Sequence, residues 1–158
     1  MTSSSQKFHM RRKDKELTNP EEIRNIIKNT NVCHLGLIDG DEPYIVPVNF
    51  GYEENCLYFH SALEGRKVGI IKKNNKVCFN MVTDVGIKTV TDKCKVKYKS
   101  VTGNGIAYIV EDEAEKIRGL RAIMRQNMGR EYDFELGKLK STLVVRIDIL
   151  DMKGKQSA

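Results

Sequence analysis

The chain has 158 residues, of which 40% are hydrophobic and 30% are charged, with three prolines. This length and composition predict one globular domain and exclude a disordered or repetitive chain. A net charge of +6 favours anionic partners without choosing among nucleic acid, membrane surfaces and phosphorylated small molecules. Because the sequence has no signal-like apolar segment near its start and no long apolar run, we expect a cytoplasmic protein without membrane spans.

The basic residues nearest the N-terminus form one run, from Lys7 to Lys15. Such a run is more typical of a solvated tail than of a nucleic-acid arm, and nucleic-acid binding stays open as the weaker alternative. We therefore predict a basic, flexible tail over residues 1–15, a single domain over residues 16–150 and a polar C-terminal tail over residues 151–158.

The first half of the domain is predicted to contain one helix and then an antiparallel meander. Residues 19–22, Asn-Pro-Glu-Glu, combine an N-cap side chain, a proline and a glutamate as helix starts do, and this helix is predicted to end near Asn29. The segments Val32 to Ile38 and Tyr44 to Tyr52 flank a turn that contains Asp-Gly, which predicts a hairpin. A third strand is predicted over Cys56 to His60.

The second half alternates predicted helices and strands. A short helix is predicted over residues 65–73, a fourth strand over residues 76–82 and a long, glycine-bent strand over residues 97–110. A helix follows from Asp112 to Met128, and the last strand covers residues 142–149. The predicted apolar stripe of that helix consists of Ile117, Leu120, Met124 and Met128. Six antiparallel strands and about three flanking helices predict a mainly β (α+β) protein, a small β-barrel with helices packed outside it.

Metal and disulfide chemistry have little support in the sequence. The four cysteines include no Cys-x-x-Cys pair and no Cys/His cluster with the spacing of a zinc site. We expect reduced thiols, most of them buried in strands as small hydrophobic residues. Neither a Walker motif nor a strand-to-helix Gly-x-Gly-x-x-Gly motif is present, so the common nucleotide-binding loops are excluded.

One segment has the residue types of a phosphate site. His60 and Ser61 end a predicted strand, and Arg66 and Lys67 follow Gly65 in the first turn of a predicted helix. Helix N-terminal amides, a hydroxyl donor and two adjacent cations together suit a phosphate. The alternative is a solvated Arg-Lys pair, which is the more common situation for such residues on a surface helix.

Several segments in order resemble the pyridoxamine 5′-phosphate oxidase-like family of FMN-binding split barrels. The resemblance extends over about residues 10 to 150, and Met10-Arg11-Arg12-Lys13-Asp14 resembles the nitroimidazole-resistance branch of this family in particular. The segments that carry it are residues 44–52 (Tyr-Ile-Val-Pro-Val-Asn-Phe-Gly-Tyr), 57–62 (Leu-Tyr-Phe-His-Ser-Ala), 64–67 (Glu-Gly-Arg-Lys) and the Tyr-x-Ser-Val-x-Gly-x-Gly pattern that begins at Tyr98.

The resemblance implies a six-stranded antiparallel split barrel, bound FMN and a homodimer with two flavin sites at the subunit interface. One strand would lie along the flavin ring, the next strand end near the ribityl chain and phosphate, and the Arg-Lys pair on the phosphate. The cofactor-binding residues implied in this way are Val46, Pro47, Val48 and Asn49 beside the ring, His60 and Ser61, Arg66 and Lys67, and Ser100, which reaches the cofactor from the long strand.

The function implied is an FMN-dependent oxidoreductase that transfers hydride or electrons to an unidentified small molecule, with nitro compounds as candidates. No catalytic acid or base is assigned, and His60 is the one residue worth testing. The oxidase proper has a C-terminal tryptophan and arginine segment, whereas this chain has no tryptophan, which argues against conversion of pyridoxamine phosphate. The alternatives are a flavin- or haem-binding carrier or sensor without turnover, and a nucleic-acid binder that uses the basic tail and residues 113–128.

Overall fold

The computed structural model describes residues 9–133 and 135–157. In this part of the chain, eight strands form one sheet. The strands are β1 (Glu16–Leu17), β2 (Val32–Asp39), β3 (Glu42–Asn49), β4 (Gly51–Glu53), β5 (Cys56–Ser61), β6 (Lys76–Val90), β7 (Lys93–Ile109) and β8 (Leu143–Ser157). The helices are α1 (Pro20–Lys28), α2 (Arg66–Lys73), α3 (Glu113–Met128) and α4 (Leu136–Leu139), and a 3-10 turn (Lys13–Lys15) precedes β1.

The sheet is a barrel that is not closed. Its strand order is β3-β2-β6-β7-β8-β5-β4, with β1 paired to β8, and every pairing is antiparallel. β3 approaches β5, but no ladder joins these two strands in the described residues. The predicted fold, a mainly antiparallel split barrel with flanking helices, is therefore confirmed. Two short strands, β1 and β4, account for the difference from the six strands predicted.

Strand alternation places one face of the sheet in the core. Leu35 on β2, Phe79 on β6 and Val101 on β7 are almost fully buried and fill the barrel interior. A second, smaller cluster forms where Leu120 and Ile123 of α3 pack with Val144 of β8 on the outside of the barrel. Because a side chain's direction alternates along a strand, the opposite face of the sheet remains available for contacts with other molecules.

The chain ends differ from their predicted description. Residues 151–157 were predicted as a polar tail, but they form the second half of β8 and pair with β7 as far as Ser157. Met152 packs against the core and Gly154 is buried, while Lys153 and Lys155 point outward, so this polar stretch alternates as a half-buried strand does. At the other end, residues 13–17 are ordered against β8, and residues 1–8 of the predicted tail lie outside the described residues.

The cysteine prediction is only partly met. All four thiols are free, but Cys33 alone is buried, whereas Cys56 is half-buried and Cys78 and Cys94 are exposed. Cys78 points outward because its neighbours on β6, Val77 and Phe79, occupy the inward positions. Burial raises the pKa of the Cys33 thiol to about 12, so this residue is an inert part of the core.

A β-bulge lies beside the glycines of the long strand, but its extra residue is on the neighbouring strand. The register of β7 against β8 shifts between Asn104 and Gly105, because β8 has an additional residue, Leu150, at this point. Beside it, a Cβ atom on Gly103 would lie 2.5 Å from the carbonyl oxygen of Asp151 and would also meet the ring of Phe79. Backbone and a buried aromatic ring cannot both move aside, so the barrel requires glycine here.

We predict that Gly103→Ala lowers the free energy of unfolding by about 1–3 kcal/mol, because the added methyl group overpacks the core. Urea denaturation of both proteins measures this difference. Gly69→Ala is the matched control, since nothing lies within 4 Å of a Cβ at this position of α2. There the change should be neutral or stabilising by up to about 1 kcal/mol. Equal effects of the two substitutions would contradict the packing argument.

Candidate functional site

The split of the barrel leaves one edge of β3 unpaired. Among the described strands, β3 pairs with β2 alone. In an antiparallel ladder, the N–H and C=O groups alternate between the two sides of a strand, so about half of those on β3 face away from β2. They face an opening that is bordered on its far side by β5 and by the start of α2. Such backbone groups can hydrogen-bond the polar edge of a ligand.

The predicted ring-binding segment, Val46 to Asn49, lies on this edge strand. Val46 packs against the core and Val48 is 8% exposed, so both side chains point into the barrel interior. Pro47 and Asn49 alternate with them and are exposed. The segment therefore offers a ligand its backbone edge together with the side chains of Pro47 and Asn49.

The start of α2 lies across the opening from β3. Gly65 precedes the helix with a φ of 143°, a conformation that side chains other than glycine rarely adopt, and it turns the chain from β5 into α2. In the part of the chain that the structure describes, no side chain caps the first amides of the helix. These amides carry the positive end of the helix dipole and are available to an anion.

Lys67 is the residue at this end whose charge is least compensated. Its side chain is half-buried, with Nζ 5.3 Å from the centre of the Phe59 ring. No carboxylate lies within ion-pair distance of it in the described residues. Burial lowers the pKa of Lys67, because an ammonium group removed from water is disfavoured. An anion beside it would reverse that penalty.

Arg66, the other half of the predicted pair, already has partners. Its Nε lies 3.2 Å from an Oδ atom of Asp39, and a second nitrogen lies 3.8 Å from Glu42. The guanidinium group also lies 4.5 Å from the centre of the Tyr44 ring. Arg66 thus ties α2 to the turn between β2 and β3. Since its side chain is 52% exposed, these ion pairs are weak, and a phosphate can compete for the guanidinium group.

His60 and Ser61 form the β5 side of the opening. His60 is exposed and lies with Asn49 in a cleft of about 380 Å³ between the strands and α3. Ser61 is the last residue of β5 and is half-buried, between His60 and the loop that leads to α2. The structure therefore brings Asn49 and His60 into one cleft, while Arg66 contacts Tyr44 of β3 and Lys67 contacts Phe59 of β5.

Five residues of α3 that were not predicted as site residues line this cleft: Leu120, Ile123, Met124, Asn127 and Met128. Asn127 donates to the Phe50 carbonyl at 3.0 Å and accepts from the Asn49 side-chain amide at 3.3 Å, which holds Asn49 in place. Met124 and Met128 line the same cleft. The apolar stripe predicted for this helix put both methionines in the core, but Met128 is 52% exposed, because the buried face runs through Leu120 and Ile123 instead.

Ser100 does not join these residues within one chain. It lies on β7, opposite Val82 on one side and Lys155 on the other. His60 pairs with Val144 near the start of β8, whereas Lys155 is near its end. Ser100 instead shares the outer face of the sheet with Pro47, since both belong to the alternating positions that point away from the core.

Two kinds of site are not found in residues 9–133 and 135–157. No three His, Cys, Asp or Glu side chains cluster as metal ligands do. None of the helices there has the length and apolarity to span a bilayer.

The family of the chain follows from its sequence match. A family model described as pyridoxamine 5′-phosphate oxidase matches residues 19–156, which include every element from α1 to β8. The chain belongs to this family. The match confirms the resemblance predicted from the segments around residues 44–67 and 98–105. No curated protein matches the chain.

Solved structures of other proteins share the fold. A Bacteroides thetaiotaomicron protein named for 5-nitroimidazole antibiotic resistance is 28% identical, with a TM-score of 0.83 over 89% of this chain and 86% of that one. A flavocytochrome from Azotobacter vinelandii is 20% identical, with a TM-score of 0.81 over 98% and 75% of the two chains. An FAD- and haem-binding protein from Mycobacterium smegmatis is 16% identical, with a TM-score of 0.79 over 90% and 73%.

Proposed function

We propose that the protein binds FMN in the opening between β3 and β5 and uses it as an oxidoreductase on a small molecule. The observation that carries the proposal is Lys67, a half-buried ammonium group without a carboxylate partner in the described residues, beside uncapped helix amides and an unpaired strand edge. Membership of this family, and likeness to a protein named for binding FAD and haem, support a flavin.

The phosphate of FMN would bind at the start of α2. Lys67 would supply a charge-assisted hydrogen bond, with Ser61 as a hydroxyl donor and the first amides of the helix as further donors. Arg66 would join them by exchanging Asp39 for the phosphate. One hydrogen bond to a charged group is worth about 1.5–3 kcal/mol, which corresponds to roughly ten- to hundredfold in affinity.

The flavin ring would lie along the edge of β3 toward Asn49. From Tyr44, which contacts Arg66, to Asn49 the strand extends about 16 Å at roughly 3.3 Å per residue, a span that suits a flavin with its ribityl phosphate extended. When bound, the cofactor supplies the hydride or electron chemistry. The backbone of β3 and the Asn49 amide would orient the ring, and His60 is placed to hold a proton near a substrate in the cleft beside α3.

The cleft beside α3 is poorly suited to a phosphorylated substrate. Its lining in the described residues includes no lysine or arginine, and Arg125 of α3 is paired with Glu53 at 3.2 Å and with Glu131. Apolar side chains such as those of Met124 and Met128 form much of the lining of this cleft. This lining argues against turnover of pyridoxamine phosphate and for a less charged acceptor. Likeness to the Bacteroides protein named for nitroimidazole resistance makes nitro compounds the acceptors to test first.

We also propose a homodimer through the outer face of β3, β2 and β6. Ile38, Ile45 and Val82 on this face are 46%, 68% and 42% exposed, and a cleft of about 590 Å³ lies among Pro43, Ile45 and their neighbours. Exposed apolar residues around such a cleft are typical of a protein interface. The same face carries Ser100, so a second chain packed here would bring Ser100 of the partner subunit toward the flavin.

The cofactor proposal predicts the colour of the protein and its dependence on Lys67. The purified protein should show a flavin spectrum, with FMN identified by chromatography after release. Lys67→Met should weaken FMN binding about ten- to hundredfold, since the charged hydrogen bond is lost. Lys72→Met, on the same helix and exposed, is the matched control and should retain the flavin. A haem spectrum, or full flavin retention by Lys67→Met, would contradict the site.

Turnover separates an oxidoreductase from a flavin carrier. We expect bound flavin to be reduced by NADH or NADPH and reoxidised by a nitroaromatic acceptor. The change in flavin absorbance measures both steps. His60→Gln should reduce the rate of reoxidation per bound flavin, because the imidazole lines the cleft that would hold the substrate. Flavin that stays oxidised with every donor tried would leave the carrier or sensor as the function.

The dimer proposal predicts an effect of charge on the outer face. Ile45→Asp should raise the dissociation constant of the dimer by at least about tenfold, because a carboxylate would be buried without a partner. Sedimentation equilibrium measures the association. Leu150→Asp is the matched control, as Leu150 is 67% exposed on β8 and lies outside the proposed interface. A wild-type monomer, or a dimer that resists Ile45→Asp but not Leu150→Asp, would refute this interface.

A further inference from the structure

Two neighbouring clefts meet at Tyr98, at the end of the sheet remote from Lys67. We call them together the Tyr98 surface. Their volumes are about 560 and 250 Å³, and Tyr98 lines both. The larger is lined by Arg12, Asp14, Lys15, Cys94, Lys95, Val96, Gln156 and Ser157, and the smaller by Met10, Ser100, Thr102, Lys153 and Lys155.

The pairing of β7 with β8 places a row of polar side chains on this surface. Tyr98, Ser100 and Thr102 alternate along β7 and therefore point to the same face. Their partners on β8 are Ser157, Lys155 and Lys153 in that order. Hydroxyl groups thus run along one strand, with two ammonium groups beside them on the next. This arrangement suits an anion that accepts hydrogen bonds from both strands.

The charge of the Tyr98 surface is strongly positive. Arg12, Lys15, Lys95, Lys153 and Lys155 line it, against one carboxylate, Asp14, which accepts from Arg12 at 2.8 Å.

The lysines of this surface differ in how far their charge is neutralised. Lys153 has an ion pair with Glu16 at 3.3 Å, and Lys15 donates to the neutral Ser157 hydroxyl at 3.0 Å. In residues 9–133 and 135–157, no carboxylate lies within 4.0 Å of Lys95 or Lys155.

The aromatic ring of Tyr98 belongs to the lining of both clefts and is half-buried. Lys155 Nζ is 5.9 Å from the centre of this ring, and Lys95 lines the larger cleft together with it. An aromatic ring with ammonium groups nearby can stack a planar base while the cations bind its phosphates.

We propose that the Tyr98 surface binds the nucleoside diphosphate part of a dinucleotide, the reductant that supplies electrons to the flavin. The base stacks on Tyr98, and Lys155 and Lys95 bind the two phosphates, with Thr102 as a hydroxyl donor. The role as a donor site rests on the proposed oxidoreductase function, whereas the binding itself does not. In the proposed dimer, the position of Ser100 on the interface face brings this donor toward the flavin.

Calorimetric titration with ADP, as the probe, tests the binding on the purified protein with its bound cofactor. The double variant Lys95→Met, Lys155→Met should weaken ADP binding by about tenfold or more, since each ammonium group contributes a charged contact. Its FMN content should equal that of the wild type. Lys140→Met, which removes an exposed lysine outside the surface, should leave ADP binding unchanged. Tyr98→Leu should weaken ADP but not inorganic pyrophosphate, since only ADP has a base to stack.

Three results would overturn the proposal. ADP that does not bind the wild-type protein removes the site. Loss of flavin in the double lysine variant would show that these cations hold the cofactor instead. Single-stranded DNA that binds more tightly than ADP, with the same dependence on Lys95 and Lys155, would make the surface a nucleic-acid site. A protein that binds ADP as described but contains no flavin would instead refute the proposed function while leaving this site intact.

Discussion

The unpaired edge of β3 is the constraint on which the rest of the structure depends. A barrel closed between β3 and β5 would satisfy every backbone group and leave no room for a ligand. Because the two strands approach without a ladder, the backbone of β3 faces an opening, and α2 and the end of β5 become its other wall. Gly103 and Gly105 of β7 allow close packing against Phe79 and β8, and the extra residue of β8 beside them forms a β-bulge, a feature that bends a sheet.

Charge within this opening is unevenly compensated, and that asymmetry determines how its residues work. Arg66 is held by Asp39 and Glu42, so it serves as a link between α2 and the turn of the β2–β3 hairpin. Lys67 is partly removed from water, with the Phe59 ring near its ammonium group, and no carboxylate pairs with it in the described residues. An anionic group bound beside Lys67 would compensate this cost of desolvation. For this reason Lys67, and not Arg66, dominates the proposed phosphate site.

Local patterns predicted much of the fold. The cap at Asn19 is present, with its side chain accepting from the Glu21 amide, and a β-bulge lies beside the glycines of the long strand. Long-range partners could not be predicted. Nothing local in the sequence indicates that Arg66 meets Asp39, that Asn127 holds Asn49, or that Met128 faces a cleft instead of the core. The strand after Ile149 was missed because its lysines and glycine resemble a tail, although they alternate against β7.

The central claim is that one opening in the barrel is the cofactor site, and a crystal structure of the protein with bound FMN tests it most directly. The account predicts the FMN phosphate within hydrogen-bond distance of Lys67 Nζ and the first amides of α2, and the ring along the backbone edge of Val46 to Asn49. A flavin bound elsewhere, such as at the Tyr98 surface with the β3 edge left empty, would contradict it.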